Sequence, residues 1–105
     1  MAEQEVVIGK EADLQPDSCL TGEVAGRAVV VFRNPDGSIT AMEDCCSHAA
    51  VRLSGGKIRE GVVECPAHGA RFDTRTGRNL CLPAVKPLRM LEVRIQNGDI
   101  VLKLP

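Results

Sequence analysis

Tryptophan and tyrosine are absent from these 105 residues, and Phe32 and Phe72 are the only aromatic side chains. Burial must therefore come from Val, Leu, Ile and Ala, which supply a thin core for one modest domain over residues 1–105. The aromatic shortage and the lack of a basic arm also argue against nucleic-acid recognition, which interleaves cations with stacking rings. Long apolar runs are missing too: the longest is Ala28 to Phe32, far short of a membrane span. The start, MAEQEVVIGK, is acidic and mixed and has no secretory pattern, so a cytoplasmic protein without a membrane anchor is expected. Helical periodicity is lacking as well, with no convincing stretch of ten residues.

What is present is a succession of short strands punctuated by Gly, Pro, Asn and Asp, which predicts an all-β fold. Val6 to Ile8 is a first strand, and Gln15 to Gly26 reads as loop because of Pro16 and its glycines. Ala28 to Arg33 and Ile39 to Met42 flank Asn34-Pro35-Asp36-Gly37, a strong hairpin turn. Val62 to Glu64 and Arg71 to Asp73 are short strands, and Thr76-Gly77 marks a turn. A last hairpin joins Met90 to Gln96 with Asp99 to Leu104 across Asn97-Gly98, with Leu91, Val93 and Ile95 alternating on one face.

Net charge is only −1, but it is unevenly spread. Residues 1–45 hold three basic residues against nine acidic ones, whereas residues 46–78 hold six (Arg52, Lys57, Arg59, Arg71, Arg75, Arg78) against three (Glu60, Glu64, Asp73). A locally positive segment is either a solvated face or a means of steering toward an acidic partner.

The same segment holds both histidines of the chain, each at ligand spacing from a cysteine: Cys46-Ser47-His48 and Cys65-Pro66-Ala67-His68. Two thiols and two imidazoles in the order C-x-H … C-x-x-H make two matching metal-binding loops. The sixteen residues from Ala49 to Glu64 are enough for a hairpin that brings the loops together. Pro66 stiffens the second loop, and Gly69 lets the backbone pass close behind His68. Five cysteines with no secretory segment suggest metal use in a reducing compartment and not a disulfide framework. A Cys₂His₂ set also suits tetrahedral zinc, although zinc fingers place both cysteines before both histidines and here the order alternates.

On these residues the chain resembles the Rieske ferredoxin family. Cys46 to Pro87 carries the likeness, CPAHGARFDTRTG (Cys65 to Gly77) most strongly, and Pro83 to Leu102 is similar to the family's closing strands. The resemblance implies an antiparallel β-sandwich with a smaller cluster-binding subdomain inserted at about residues 44–82. It implies one [2Fe-2S] cluster per chain, with Cys46 and Cys65 as thiolates on one iron and His48 and His68 as imidazoles on the other. Cys45-x-x-His48 is also ligand spacing, but C-x-H is what the family uses, so Cys46 is favoured. Cys19 and Cys81 read as core thiols, and Arg71 and Asp73 either brace the second loop or form a solvated pair.

Two imidazoles in place of thiolates leave the oxidised centre formally neutral. This raises the potential to about −150 to +300 mV from about −400 mV for all-cysteine ligation. High-potential relatives join their loops by a disulfide, at positions that here are Ala50 and Ala67. They also direct Ser and Tyr hydroxyls at the cluster from positions that here are Ala70 and Phe72. Without those hydrogen bonds the low end of the range is expected. The implied function is a monomeric, soluble one-electron carrier between an NAD(P)H-dependent flavoprotein reductase and a terminal oxygenase, and not an enzyme. A catalytic oxygenase subunit would need two further histidines, which the chain lacks. The alternatives are the small Rieske-like subunit of an assimilatory nitrite reductase and a zinc-stapled binding module.

Overall fold

The computed structural model describes residues 4–24, 26–45, 52–66, 69–81 and 88–104. Among these the regular structure is nine strands and two short 3-10 turns, with no α-helix, as the absence of helical periodicity predicts. The strands are β1 (Gln4–Lys10), β2 (Ser18–Val24), β3 (Arg27–Arg33), β4 (Ile39–Glu43), β5 (Lys57–Arg59), β6 (Val62–Glu64), β7 (Arg71–Asp73), β8 (Met90–Gln96) and β9 (Asp99–Leu104). They form a six-stranded sheet in the order β1-β9-β8-β4-β3-β2 and a three-stranded sheet in the order β5-β6-β7. Every strand pairing is antiparallel. The described residues include no helix long and apolar enough to cross a membrane.

The apolar run at Ala28 to Phe32 has a structural reason. Successive side chains of a strand point to opposite faces, and β3 is buried on both. Val29 and Val31 pack with Ala41, Leu91, Ile100 and Leu102 inside the large sheet. Val30 and Phe32 point the other way, toward Met42, Leu53, Val63 and Phe72. All four β3 side chains are at most 1% exposed, and each contributes about 1.5–3 kcal/mol by leaving water. The second of these cores joins the large sheet to the small one, so β3 is the wall the two share.

Both ends of the large sheet curl toward each other. A Cβ on Gly22 would lie 3.0 Å from Ile8 Cγ1 and Cδ1, and one on Gly9 would lie 3.0 Å from Leu20 Cδ1. The edge strands β1 and β2 therefore cover each other through glycine contacts and not through a hydrogen-bonded ladder. This also corrects the reading of Gln15 to Gly26 as loop. Ser18 to Val24 pairs with β3 residue for residue, from Ser18↔Arg33 to Val24↔Arg27. Gly22, which looks like a loop signal, is there to admit Ile8. The predicted hairpins at residues 34–37 and 97–98 are present, with Gly37 at φ 91° and Asn97 and Gly98 at φ 52° and 81°. β5, a three-residue strand with Ile58 turned inward, is not among the strands expected from the sequence.

Polar struts fix the small sheet to the large one. Asn34, fully buried at the end of β3, donates from Nδ2 to Ser38 Oγ (3.1 Å) and Thr40 Oγ1 (3.3 Å), and its Oδ1 accepts from the buried Thr74 hydroxyl. Thr40 in turn donates to the Thr74 carbonyl. Asp17, ahead of β2, accepts from the Glu60 and Gly61 N–H groups at 3.1 and 3.2 Å and so grips the β5–β6 turn. Asn34→Ala should cost about 2–3 kcal/mol, because it strands the Thr74 hydroxyl in a dry site. Thr74→Val should cost less than that, and the double variant less than the sum, as urea denaturation of the loaded protein would show. Strict additivity would mean that the pair is not coupled.

Candidate metal centre

Two loop necks adjoin on this scaffold, and each is tied by hydrogen bonds. The first follows β4 directly. Asp44, 2% exposed, donates its N–H to the Ala28 carbonyl (2.9 Å), while its carboxylate accepts from Ser54 N (2.9 Å) and Ser54 Oγ (2.6 Å). A buried carboxylate is tolerated only with such donors, and here they clamp residue 44 to residue 54. Cys46 and His48 belong to the clamped segment and lie outside the described residues, as does Ala50.

The second loop joins β6 to β7. Cys65 donates its N–H to the Ala70 carbonyl at 2.6 Å, and Gly69 donates back to the Cys65 carbonyl at 3.1 Å. That closure needs a left-handed residue, and Gly69 supplies it at φ 75°. His68 and Ala67 fall outside the described residues. Cys65 is described: it is 1% exposed and belongs to the apolar cluster of Leu53, Val63, Ala70, Phe72 and Leu88.

The two necks adjoin. A Cβ on Gly55 would reach Pro66 Cγ at 3.8 Å, and one on Gly56 would fall 1.7 Å from the Glu64 carbonyl oxygen. Residues 55–56, just past the first neck, thus lie directly on the strand that enters the second. Leu53 and Cys65 share one core, so the floor beneath both loops is apolar. Such a floor suits a centre that is formally neutral when oxidised, as mixed thiolate and imidazole ligation provides, and suits a doubly charged all-thiolate centre poorly. The donor set and its surroundings therefore fit a two-iron cluster. Asp44 makes its charge felt nearby, since burial first and that carboxylate second push the Cys19 thiol above its ordinary pKa.

Of the side chains singled out in the sequence, Cys19 sits as expected and others do not. Cys19 is half-buried against the core, as a core thiol would be. Cys81 is exposed, with Sγ 3.8 Å from the Gly69 carbonyl. It is not a core thiol, because residues 78–80 run beside β7 and carry residue 81 out past the second loop. Cys45 is exposed at the first neck. Arg71 and Asp73 do not pair: Arg71 Nε meets Glu64 Oε2 at 3.3 Å, and Asp73 accepts from the Arg75 N–H at 2.8 Å. The Asp44–Ser54 clamp and Gly56 went unread, because nothing in the sequence says which residues will meet across ten positions.

A β scaffold with two adjoining loop necks over a dry floor, each loop carrying one Cys and one His in its sequence, suits an iron–sulfur protein. The Rieske [2Fe-2S] domain profile matches residues 4–93. The chain belongs to that family. It is 44% identical over 78 residues to the anthranilate 1,2-dioxygenase ferredoxin subunit of Burkholderia cepacia, covering 73% of this chain and 71% of that one. Its fold matches the ferredoxin of carbazole 1,9a-dioxygenase from Nocardioides aromaticivorans IC177 at TM-score 0.85 and 34% identity, over 93% of this chain and 95% of that one. It also matches a chain of the complex of reduced oxygenase and oxidized ferredoxin in carbazole 1,9a-dioxygenase at TM-score 0.86 and 30% identity, over 93% and 91%. The protein is accordingly an electron carrier with one [2Fe-2S] cluster and not a catalytic enzyme, and the zinc-stapled module is set aside.

Gly56→Ala should lower stability by about 2–3 kcal/mol, because the added methyl cannot fit against the Glu64 carbonyl without moving the strand. Gly55→Ala, with only an ordinary contact to Pro66, should cost less than about 1 kcal/mol. Denaturation midpoints of the two variants compare them directly, and equal losses would contradict the close approach.

Proposed function

We propose that this chain is a low-potential Rieske ferredoxin that takes single electrons from an NAD(P)H-dependent flavoprotein reductase and delivers them to a terminal oxygenase. It works as a monomer in the cytoplasm and docks transiently with each partner. The observation that carries the reading is the pair of clamped necks over an apolar floor, with Cys65 at one of them. Relatives named as ferredoxin subunits of dioxygenases support the partner class, and they favour it over a nitrite reductase subunit.

Cys46 and Cys65 would hold one iron as thiolates, and His48 and His68 would hold the other as imidazoles. The cluster so held would supply one-electron transfer. The protein's part is to hold the ligands and set the potential. Residues 44–82 act as the cluster-binding subdomain, supported by the separate β5–β7 sheet and by the struts at Asn34, Asp17 and Asp44. Ala70 and Phe72 are fully buried beside Cys65 and carry no hydroxyl, so neither can donate a hydrogen bond that would stabilise the reduced centre.

A redox titration followed by visible absorption should show a single one-electron step near about −150 mV in a red-brown protein. A colourless protein without a step would end the reading. His68→Cys should keep some cluster and lower the potential, since a thiolate adds negative charge where an imidazole was neutral; an unchanged potential would remove His68 from the ligand set. Phe72→Tyr should raise the potential, and no rise would show that the new hydroxyl finds no acceptor on the cluster.

A further inference from the structure

The small sheet has an outer face that neither core uses. Register places its side chains in two rows. Lys57 faces Glu64 and Glu64 faces Arg71, while Arg59 faces Val62 and Val62 faces Asp73. Residues 78–80 extend the sheet as a fourth strip: Phe72 bridges Asn79, Asp73 N–H donates to the Arg78 carbonyl, and Leu80 N–H donates to the Arg71 carbonyl. Opposed residues of an antiparallel pair point the same way. One row is therefore Lys57–Glu64–Arg71–Leu80 and the other Arg59–Val62–Asp73–Arg78, with Ile58, Val63 and Phe72 turned inward.

That face carries four cations against two carboxylates, and the carboxylates are already engaged: Glu64 by Arg71 and Asp73 by the Arg75 N–H. Among the described residues Lys57, Arg59 and Arg78 are exposed and meet no carboxylate. Leu80, at the corner of the face opposite Arg71 and two residues from Arg78, is 48% exposed, one of few large apolar side chains so placed. The first row borders the second loop, because Cys65 follows Glu64 and Ala70 precedes Arg71. Exposed cations on a face with an apolar anchor at one corner, next to the loop where electrons must leave, form a docking patch for an anionic surface.

We infer that this outer face, on the flank of the cluster loops, docks an acidic surface of the terminal oxygenase, with Lys57, Arg59 and Arg78 steering and Leu80 as the apolar anchor. The inference rests on the carrier reading proposed above. The oxygenase is chosen over the reductase because a chain of this fold is known in complex with one. Lys57 and Arg78 lie at opposite corners of the face, so reversing both charges probes its whole width without breaking an ion pair within the described residues.

The test uses the cluster-loaded protein and, as probe, the oxygenase component of the Burkholderia cepacia anthranilate 1,2-dioxygenase. It reads the dissociation constant at several salt concentrations, together with the rate of electron delivery. The Lys57→Glu/Arg78→Glu protein should bind about tenfold more weakly at low salt and lose most of the salt dependence. Leu80→Ser should weaken binding severalfold with the salt dependence intact. Lys10→Glu, on an exposed side chain of the edge strand β1, reverses one charge, half the change of the double variant, and should bind like the parent. Visible spectra and potentials equal to those of the parent would certify that each variant keeps its cluster.

Parental binding by the double variant would overturn the flank assignment and leave the carrier reading in place. A parent without a one-electron step would overturn the carrier reading, and this inference with it; a parent that has the step but neither binds nor reduces the oxygenase would overturn this inference alone. Weakened binding confined to a flavoprotein reductase, or self-association abolished by the double variant, would assign the face to those partners and overturn the oxygenase as its occupant.

Discussion

Burial of β3 on both faces is the constraint on which the rest depends. A strand of five consecutive apolar residues cannot lie at the surface of a single sheet, so something must cover its second side. The large sheet closes on Val29 and Val31. The opposite face, through Val30 and Phe32, demands a lid, and the segment between β4 and β8 provides one with Leu53, Val63 and Phe72. The necks at residues 44–54 and 65–70 adjoin over one apolar floor because that floor is the underside of the lid.

Apolar contact alone would let a three-stranded sheet slide on its support. The polar struts remove that freedom. Asn34 with Thr74, Asp17 with the turn at residues 60–61, and Asp44 with Ser54 hold the lid at three places, each by groups that would be costly to leave unpaired. Electron transfer benefits, since a carrier that changes shape on reduction adds a reorganisation cost to every transfer. The same struts hold the two rows of the lid's outer face in place against the large sheet.

Charge is divided along the same boundary. The acidic excess of residues 1–45 lies on β1 to β4 and their connections, and the basic excess of residues 46–78 on the lid. A nearly neutral protein thereby has one positive region, and the neck at Cys65 belongs to it. Orientation on approach can follow from this separation without any high net charge.

Much of this was legible in the sequence. The hairpins at residues 34–37 and 97–98, the short strands at residues 62–64 and 71–73 and the all-β class all depend on local signals, because turn chemistry acts over a few residues. The rest depended on partners far along the chain. β2 looked like loop because its order comes from β3 and its glycine serves Ile8. Cys81 looked like a core thiol because its exposure is set by the strip beside β7. The Asp44 clamp, the close approach at Gly56 and the alignment of Lys57, Arg71 and Leu80 on one face are facts of register and packing. Sequence spacing determined which residues could bind a cluster; only the tertiary structure decided what braces their loops and what surface surrounds them, because long-range contacts leave no periodic trace in the chain.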